Sequence, residues 1–246
     1  MKLNGGFDIL MNRSNTRIVA ALIALLLIFT TYHSIAQPVP GKEILKWERD
    51  IAVFDSLNRV EPADANTLLV TGSSSIRVWN SIHQDLAPYQ VMQRGYGGAK
   101  LRDYNYYADR IIKPQQFKAI VVFVANDIAG VEADLSPKEV YRLFKDLAKK
   151  VRKRNPATPL CWIEVTPTPK RWHVSQQIRE TSELIEAYCD KNEDLHFIST
   201  FDQYTTPEGL PDSTLFREDM LHLNWDGYQM WSGIIKTSLE EAGISP

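Results

Sequence analysis

The segment TLLVTGSSSI, residues 67–76, decides the fold of this chain. Its first five residues, Thr67–Thr71, are apolar or β-branched, which is typical of a short strand buried on both faces. Three serines follow Gly72, and the segment Ile76–Trp79 then begins a helix-like pattern. A buried strand that turns directly into a helix is the basic unit of a parallel α/β sheet.

The same alternation of strand and helix continues along the chain. Apolar runs predict four further strands, at residues 89–93, 118–124, 160–165 and 195–199. Helical spacing of apolar residues predicts helices at residues 42–58, 101–112, 137–154, 174–191 and 225–242. We therefore predict an α/β protein, a three-layer α/β/α sandwich with a five-stranded parallel sheet of flavodoxin-like type. In such sheets ligands bind outside the carboxyl ends of the strands.

The N-terminal part of the chain has the pattern of an export signal. The run Ile18–Phe29 is uninterrupted and apolar, two arginines precede it, and small residues follow it up to Ala36. A transmembrane helix needs about 20 apolar residues, so this run is short for a span. We predict a cleaved signal peptide over residues 1–36 and a secreted or periplasmic domain over residues 37–246. An uncleaved N-terminal anchor is the alternative, and Met11 is an alternative start.

Charge and cysteine content limit the possible partners and cofactors. The chain has 28 Lys and Arg against 30 Asp and Glu, which argues against nucleic-acid binding. The basic run Lys149–Arg154 ends a predicted helix, where cations complement the helix dipole. Cys161 and Cys189 are the two cysteines, and both a disulfide and a pair of buried free thiols are open. No HExxH, EF-hand or Cys/His pattern occurs, so we predict no metal and no cofactor.

Ser74 lies in the turn after the first predicted strand. A serine at a strand-to-helix turn has an exposed hydroxyl in the positive field of a helix N-terminus, which suits a nucleophile. Gly-Ser-Ser-Ser is also ordinary turn and N-cap sequence. Neither G-x-S-x-G nor Gly-Lys-Ser/Thr is present, so the usual α/β-hydrolase elbow and the P-loop are excluded.

Glycine and amide groups follow the next two predicted strands. Residues 94–98 read Arg-Gly-Tyr-Gly-Gly, and Asn126 follows the third strand. The backbone N–H of Gly98 and the side-chain amide of Asn126 are both suited to bind an oxyanion. A loop that needs positive φ and an Asx turn are the structural alternatives.

Near the C-terminus, Asp219 precedes His222 by three residues. The carboxylate is then able to reach the near ring nitrogen of the imidazole and fix its tautomer. The far nitrogen remains free to take a proton from a nucleophile.

Taken in order, these positions resemble the SGNH (GDSL-type) hydrolases over nearly the whole chain after residue 37. Segment 72–74 is similar to the family's Gly-Asp-Ser, residues 95–98 to its Gly-x-x-Gly, and residues 124–127 to its Gly-x-Asn-Asp. The chain departs from the family at two points. Ser73 replaces the usual aspartate, and Val124 replaces the usual glycine, a change that affects the pocket wall.

The resemblance implies a fold, a reaction and a set of site residues. Ser74 would be the nucleophile, His222 its base and Asp219 the group that orients the base. The oxyanion would be bound by the Ser74 and Gly98 N–H groups and by the Asn126 side chain.

We therefore predict a serine esterase or acylhydrolase, with a small-molecule or glycan ester as its partner. Several aromatic residues are expected near the site and suit a sugar, namely Trp79, Tyr96, Trp172 and Trp225. The preferred prediction is removal of a short acyl group, in the first place acetyl, from a carbohydrate. The segment Thr166–Trp172 resembles a family segment that borders the active site, which implies a substrate-facing role; an ordinary proline-rich loop is the alternative. A lysophospholipase or short-chain lipid esterase, or a non-catalytic glycan-binding protein of the same fold, are the alternatives.

Overall fold

The computed structural model describes residues 40–61, 63–112 and 116–246. The described residues from Gly41 onward belong to one folded unit. The predicted signal peptide, its cleavage point near Ala36 and the alternative start at Met11 lie outside the described residues. Within the three described ranges, no helix has the length and apolar character needed to cross a membrane.

A five-stranded sheet forms the centre of the domain. Its strands are β1 (Thr67–Gly72), β2 (Gln90–Gly95), β3 (Ala119–Phe123), β4 (Leu160–Ile163) and β5 (Leu195–Ile198). Their order is β2-β1-β3-β4-β5, and every neighbouring pair is parallel. The predicted flavodoxin-like α/β/α fold is confirmed, because this strand order is the flavodoxin order.

The helices follow the predicted alternation with two differences. They are α1 (Lys42–Leu45), α2 (Glu48–Val60), α3 (Ser74–Arg77), α4 (Ile82–Asp85), α5 (Leu101–Ile111), α6 (Pro137–Arg154), α7 (Ser175–Cys189) and α8 (Trp225–Glu241). The single helix predicted over residues 42–58 is wrong, because a turn at Lys46–Trp47 divides it. The short helix α4 had no prediction. A 3₁₀ helix, Pro169–Val174, precedes α7.

Two hydrophobic layers cover the sheet. Helices α2, α5, α6 and α7 pack on one face, and α3, α4 and α8 pack on the other. Side chains alternate between the layers along each strand. In β4, Cys161 faces the α8 layer, whereas Cys189 of α7 belongs to the opposite layer. Both cysteines are buried free thiols, and burial raises the pKa of each to about 12.

The carboxyl ends of the central strands meet at Gly72. This residue is in register with Gly95 of β2 and Phe123 of β3. The N–H of Ser73 donates to the Phe123 carbonyl oxygen at 2.8 Å, and the N–H of Tyr96 donates to the Gly72 carbonyl oxygen at 3.0 Å. A Cβ atom on Gly72 would lie 1.9 Å from the Phe123 oxygen, and the φ of Gly72 is +138°. Only glycine fits this close approach.

Two buried carboxyl groups hold the N-terminus of α5 against the same edge of the sheet. Both oxygens of Asp127 accept from the Leu101 N–H, at 3.1 and 2.9 Å. Asp103 accepts from the Lys100 N–H at 3.1 Å and from the Tyr96 hydroxyl at 2.8 Å. The pKa of Asp127 is raised to about 6, mainly because the carboxyl is buried and in part because Asp103 lies nearby. The helix is therefore fixed to the loops that follow β2 and β3.

We predict that Gly72→Ala lowers the free energy of unfolding by about 3 kcal/mol or more, because it adds both overlap and backbone strain. Gly233→Ala is the matched control. Gly233 is exposed in α8, and a Cβ there meets no atom within 4 Å. This control should gain about 0.5–1 kcal/mol. Urea unfolding of both variants measures the difference, and equal midpoints would contradict the constraint at Gly72.

We also predict a pH-dependent difference between wild type and Asp127→Asn. Folding raises the pKa of this carboxyl from 3.8 to about 6, so the folded protein holds the proton more tightly than the unfolded chain. The resulting stabilisation is greatest below about pH 4 and is lost as the pH rises to about 6. Over this interval, wild type should lose up to about 3 kcal/mol relative to the variant. Urea unfolding at several pH values tests this, and parallel stability curves would refute it.

Candidate active site

Ser74 is the first residue of α3, directly after the end of β1. The short helix is anchored on its inner side, because Ile76 is fully buried and the Tyr228 hydroxyl donates to the Ser75 carbonyl oxygen at 2.8 Å. Ser74 itself is half-buried. The helix is thus held by the core while the serine hydroxyl stays accessible at the carboxyl edge of the sheet.

His222 contacts both of the side chains that the sequence analysis assigned to it. Its Nε2 lies 2.9 Å from Ser74 Oγ, and its Nδ1 lies 2.6 Å from Asp219 Oδ2. If Nδ1–H donates to the carboxylate, Nε2 is left with a lone pair directed at the serine hydroxyl. The three side chains therefore form a continuous hydrogen-bonded chain from carboxylate to hydroxyl.

The Asp219 carboxylate is held in its ionised form. Partial burial acts to raise its pKa, but hydrogen bonds from the His222 ring and from the His222 and Leu221 N–H groups lower the pKa to about 2. Those two backbone bonds to Oδ1 measure 2.9 and 3.0 Å. One oxygen is thus occupied by the backbone, and the other faces the imidazole.

The loop that carries Asp219 and His222 is closed on itself. The N–H of Arg217 donates to the His222 carbonyl oxygen at 2.8 Å. Met220, at the tip, has a φ of +56°, in the left-handed region that side chains other than glycine seldom adopt. The Met220 carbonyl oxygen accepts from the Lys170 N–H at 3.0 Å, which ties this loop to the segment after β4.

Three unused hydrogen-bond donors lie at the ends of β1, β2 and β3. Among the described residues, neither the Ser74 N–H nor the Gly98 N–H donates a hydrogen bond. Gly98 has a φ of +64°, and a Cβ there would lie 3.5 Å from the ring of Trp47. The Nδ2 of Asn126 donates to the Ala99 carbonyl oxygen at 3.0 Å, so its second proton remains available. These are the donors that the sequence analysis selected for an oxyanion.

Arg171 is a functional candidate that the sequence analysis did not single out. The segment Thr166–Trp172 was expected to face the substrate, but the Arg171 side chain turns inward and the residue is only 8% exposed. Its Nη2 donates to Asn126 Oδ1 at 2.6 Å, and its Nη1 donates to the Ala125 carbonyl oxygen. The only sequence signal for this contact is an arginine within a proline-rich loop after a strand.

The expected aromatic surface is smaller than predicted. Trp79 and Tyr96 are fully buried and pack in the core, so the prediction that they suit a sugar is wrong. Trp172 is half-buried against Phe201. Trp225, three residues after His222, is 68% exposed at the start of α8. Trp225 is therefore the most exposed of the four aromatic residues that the sequence analysis named.

The part of the chain that the structure describes holds no cluster of three or more His, Cys, Asp or Glu side chains placed to bind a metal ion. The carboxylate and imidazole groups of the site instead bond to each other and to Ser74.

Solved structures with this fold come from several bacteria and a fungus. A candidate platelet activating factor from Streptococcus pneumonia superposes with a TM-score of 0.68 at 20% identity, covering 89% of this chain and 99% of that chain. A GDSL-like lipase from Bacteroides thetaiotaomicron gives 0.63 at 17% identity, covering 81% and 99%. A carbohydrate esterase family 3 protein from Talaromyces cellulolyticus gives 0.53 at 14%, covering 73% and 99%. At these identities the likeness shows the fold.

Sequence comparison identifies the family. No curated protein matches the chain. The model of the GDSL-like lipase/acylhydrolase family matches residues 61–230, which include every residue of the hydrogen-bonded chain and the three unused donors. The match covers well over half of the sequence, and the fold agrees with it. The chain belongs to the GDSL-like lipase/acylhydrolase family.

Proposed function

We propose that this protein is a serine esterase that removes short acyl groups from carbohydrate, with acetyl as the preferred acyl group. The observation that carries the proposal is the 2.9 Å contact between His222 Nε2 and Ser74 Oγ, with Asp219 on the opposite side of the ring. Membership of an acylhydrolase family supports ester hydrolysis in general. The roles of the individual residues and the choice of substrate belong to the proposal.

The first half of the reaction forms an acyl-enzyme. Ser74 Oγ attacks the ester carbonyl carbon while its proton passes to His222 Nε2. The carbonyl oxygen becomes an oxyanion that accepts from the Ser74 and Gly98 N–H groups and from Asn126 Nδ2. Each such donor is typically worth about 10²–10³ in kcat. When the intermediate collapses, His222 gives the proton to the leaving alcohol oxygen, and the acyl group remains on Ser74.

The second half releases the acyl group to water. His222 takes a proton from a water molecule, whose oxygen attacks the acyl carbon. The second oxyanion collapses, the bond to Oγ breaks, and the proton returns to Ser74. Throughout, the ionised Asp219 stabilises the positive charge on the imidazole ring. The low pKa of Asp219, about 2, supports this role, because the group stays charged at any working pH.

The exposure of the Trp225 side chain favours a carbohydrate as the leaving group. An exposed indole close to the base provides a flat apolar face, and such faces pack well against the C–H groups of sugars. One structural neighbour is itself a carbohydrate esterase. The ring of Trp47 beside Gly98 adds bulk next to an oxyanion donor, which fits a small acyl group.

A lipid esterase is the second candidate. Met220 lies between Asp219 and His222 and is 40% exposed, so an apolar side chain is available there for contact with an acyl chain. The third candidate, a glycan-binding protein without activity, has less support. A binder has no need for a serine, an imidazole and a carboxylate joined at hydrogen-bonding distance.

We predict that Ser74→Ala and His222→Ala each lower kcat for p-nitrophenyl acetate by about 10⁴-fold or more, because each removes one participant in proton transfer. The thermal unfolding midpoints should change little, since both groups are partly exposed. Ser75→Ala and His83→Ala are matched controls, the first beside the nucleophile and the second an exposed histidine of α4. Retention of full activity in either site variant would overturn the assignment. Glycan binding without turnover in wild type would favour the binding protein.

A second prediction separates carbohydrate from lipid esters. Trp225→Ala should raise KM for an acetylated polysaccharide severalfold and leave kcat/KM for p-nitrophenyl acetate unchanged, because the small aryl ester has no sugar to stack. Leu210→Ala, which removes another exposed apolar side chain, is the control. Acetate release and p-nitrophenol release from esters of increasing chain length give the measurement. A wild-type preference for long-chain esters, with no acetate released from polysaccharide, would support the lipid esterase instead.

A further inference from the structure

We propose that Arg171 is a positioning residue for the oxyanion site: it acts through Asn126, fixing the orientation of the amide and holding a positive charge behind it. The inference rests on the proposed function, since it assigns Asn126 to oxyanion binding. Arg171 has no direct access to the substrate because it is 8% exposed and lies on the inner side of the amide.

The contact with Arg171 decides which end of the Asn126 amide faces the site. An asparagine side chain is able to rotate and exchange its oxygen and nitrogen, and only its hydrogen-bond partners decide between the two orientations. A guanidinium group donates and never accepts. The Nη2 of Arg171, 2.6 Å away, therefore selects the oxygen of Asn126. The nitrogen is turned the other way, where the Ala99 carbonyl oxygen accepts one of its protons at 3.0 Å.

The rotated amide would be harmful to catalysis. In the rotated amide the Asn126 oxygen would face the position of the developing negative charge, and without Arg171 only the bond to the Ala99 carbonyl oxygen opposes that rotation. An oxygen there repels the oxyanion, whereas the nitrogen stabilises it. The contact thus excludes an unproductive orientation as well as supporting the productive one.

Arg171 also brings a positive charge to the back of the Asn126 amide. Arg171 is buried, and within the described ranges no carboxylate lies within ion-pair distance of its guanidinium group. Asp127 and Asp134 act on it only from farther away. A buried cation without a close partner is costly to a fold. The bond to Oδ1 lets this charge polarise the Asn126 amide, so its Nδ2–H group becomes a stronger donor to a developing oxyanion.

The backbone of Arg171 and of its neighbour Lys170 is held by one hydrogen bond each to a separate part of the structure. The Thr168 hydroxyl oxygen accepts from the Arg171 N–H at 3.3 Å, which caps the 3₁₀ helix Pro169–Val174. The adjacent Lys170 N–H bonds to Met220 in the loop of His222. One turn of chain therefore connects the side of the site that binds the oxyanion with the side that transfers the proton.

A purely structural role is the competing explanation, because Arg171 also bonds to the Ala125 carbonyl oxygen. The two explanations differ in a double-mutant cycle. If Arg171 acts through Asn126, its removal has no further effect on kcat once Asn126 is absent. If it only supports the fold, the two losses multiply.

The test measures kcat and KM for p-nitrophenyl acetate with wild type, Asn126→Ala, Arg171→Ala and the double variant. We expect Asn126→Ala to lower kcat by about 10²–10³-fold. Arg171→Ala should lower kcat by about 10–100-fold with KM changed by less than about threefold. The double variant should match Asn126→Ala within about threefold. Losses that multiply, or an unchanged kcat in Arg171→Ala, would overturn the inference.

Controls separate this result from failures of other kinds. Arg179→Ala removes a cation from α7 that lies over the Phe201 ring, and it should leave kcat unchanged. If the alanine variants unfold, Arg171→Lys replaces Arg171→Ala in the same cycle. Lysine keeps the positive charge but loses the planar pair of N–H groups that bonds to both Asn126 and Ala125. An active Ser74→Ala would refute the proposed function itself. An inactive Ser74→Ala with multiplying losses would refute only the role of Arg171.

Discussion

The close approach of β1 to β3 at Gly72 is the constraint on which the site depends. Main-chain hydrogen bonds on both sides of this residue connect the end of β1 to the first residue after β2 and to the last residue of β3. They place Ser74, Gly98 and Asn126 at one edge of the sheet before any side chain contributes. The missing Cβ is essential, since the Phe123 carbonyl oxygen occupies its place. Backbone geometry therefore creates the site, and side chains then equip it with chemistry.

The two sides of the site are built differently. The oxyanion side consists of strand ends held by buried groups, including the two carboxyl groups at the start of α5. The proton-transfer side is a single closed loop near the C-terminus, in which the side chain of Asp219 is 44% exposed. Its charge is maintained by hydrogen bonds instead of by burial. The segment Pro169–Val174 contacts both sides and makes them one unit.

Much of this arrangement was predictable because it follows from local patterns. Buried parallel strands are continuous apolar runs, and their carboxyl ends share one edge, so Ser74 and Asn126 were expected together. Contacts between distant loops carry no such pattern. The bond from Arg171 to Asn126 joins residues 45 positions apart. The burial of Trp79 was also not predictable from the sequence, because an aromatic residue suits a core as well as a ligand surface. The break in the helix predicted over residues 42–58 has the same cause, because Trp47 in the turn donates to Asp103, a residue far along the chain.

The separation of the two thiols on opposite faces of the sheet has a practical consequence. The domain reaches its fold without a disulfide, so a reducing host cytosol is a suitable place to produce it. Cys161 and Cys189 are the only cysteines of the chain, and both are buried and hold their protons firmly. A single cysteine introduced on an exposed loop would therefore be the one reactive thiol. A fluorophore attached there would report ligand arrival at the rim without any removal of native residues.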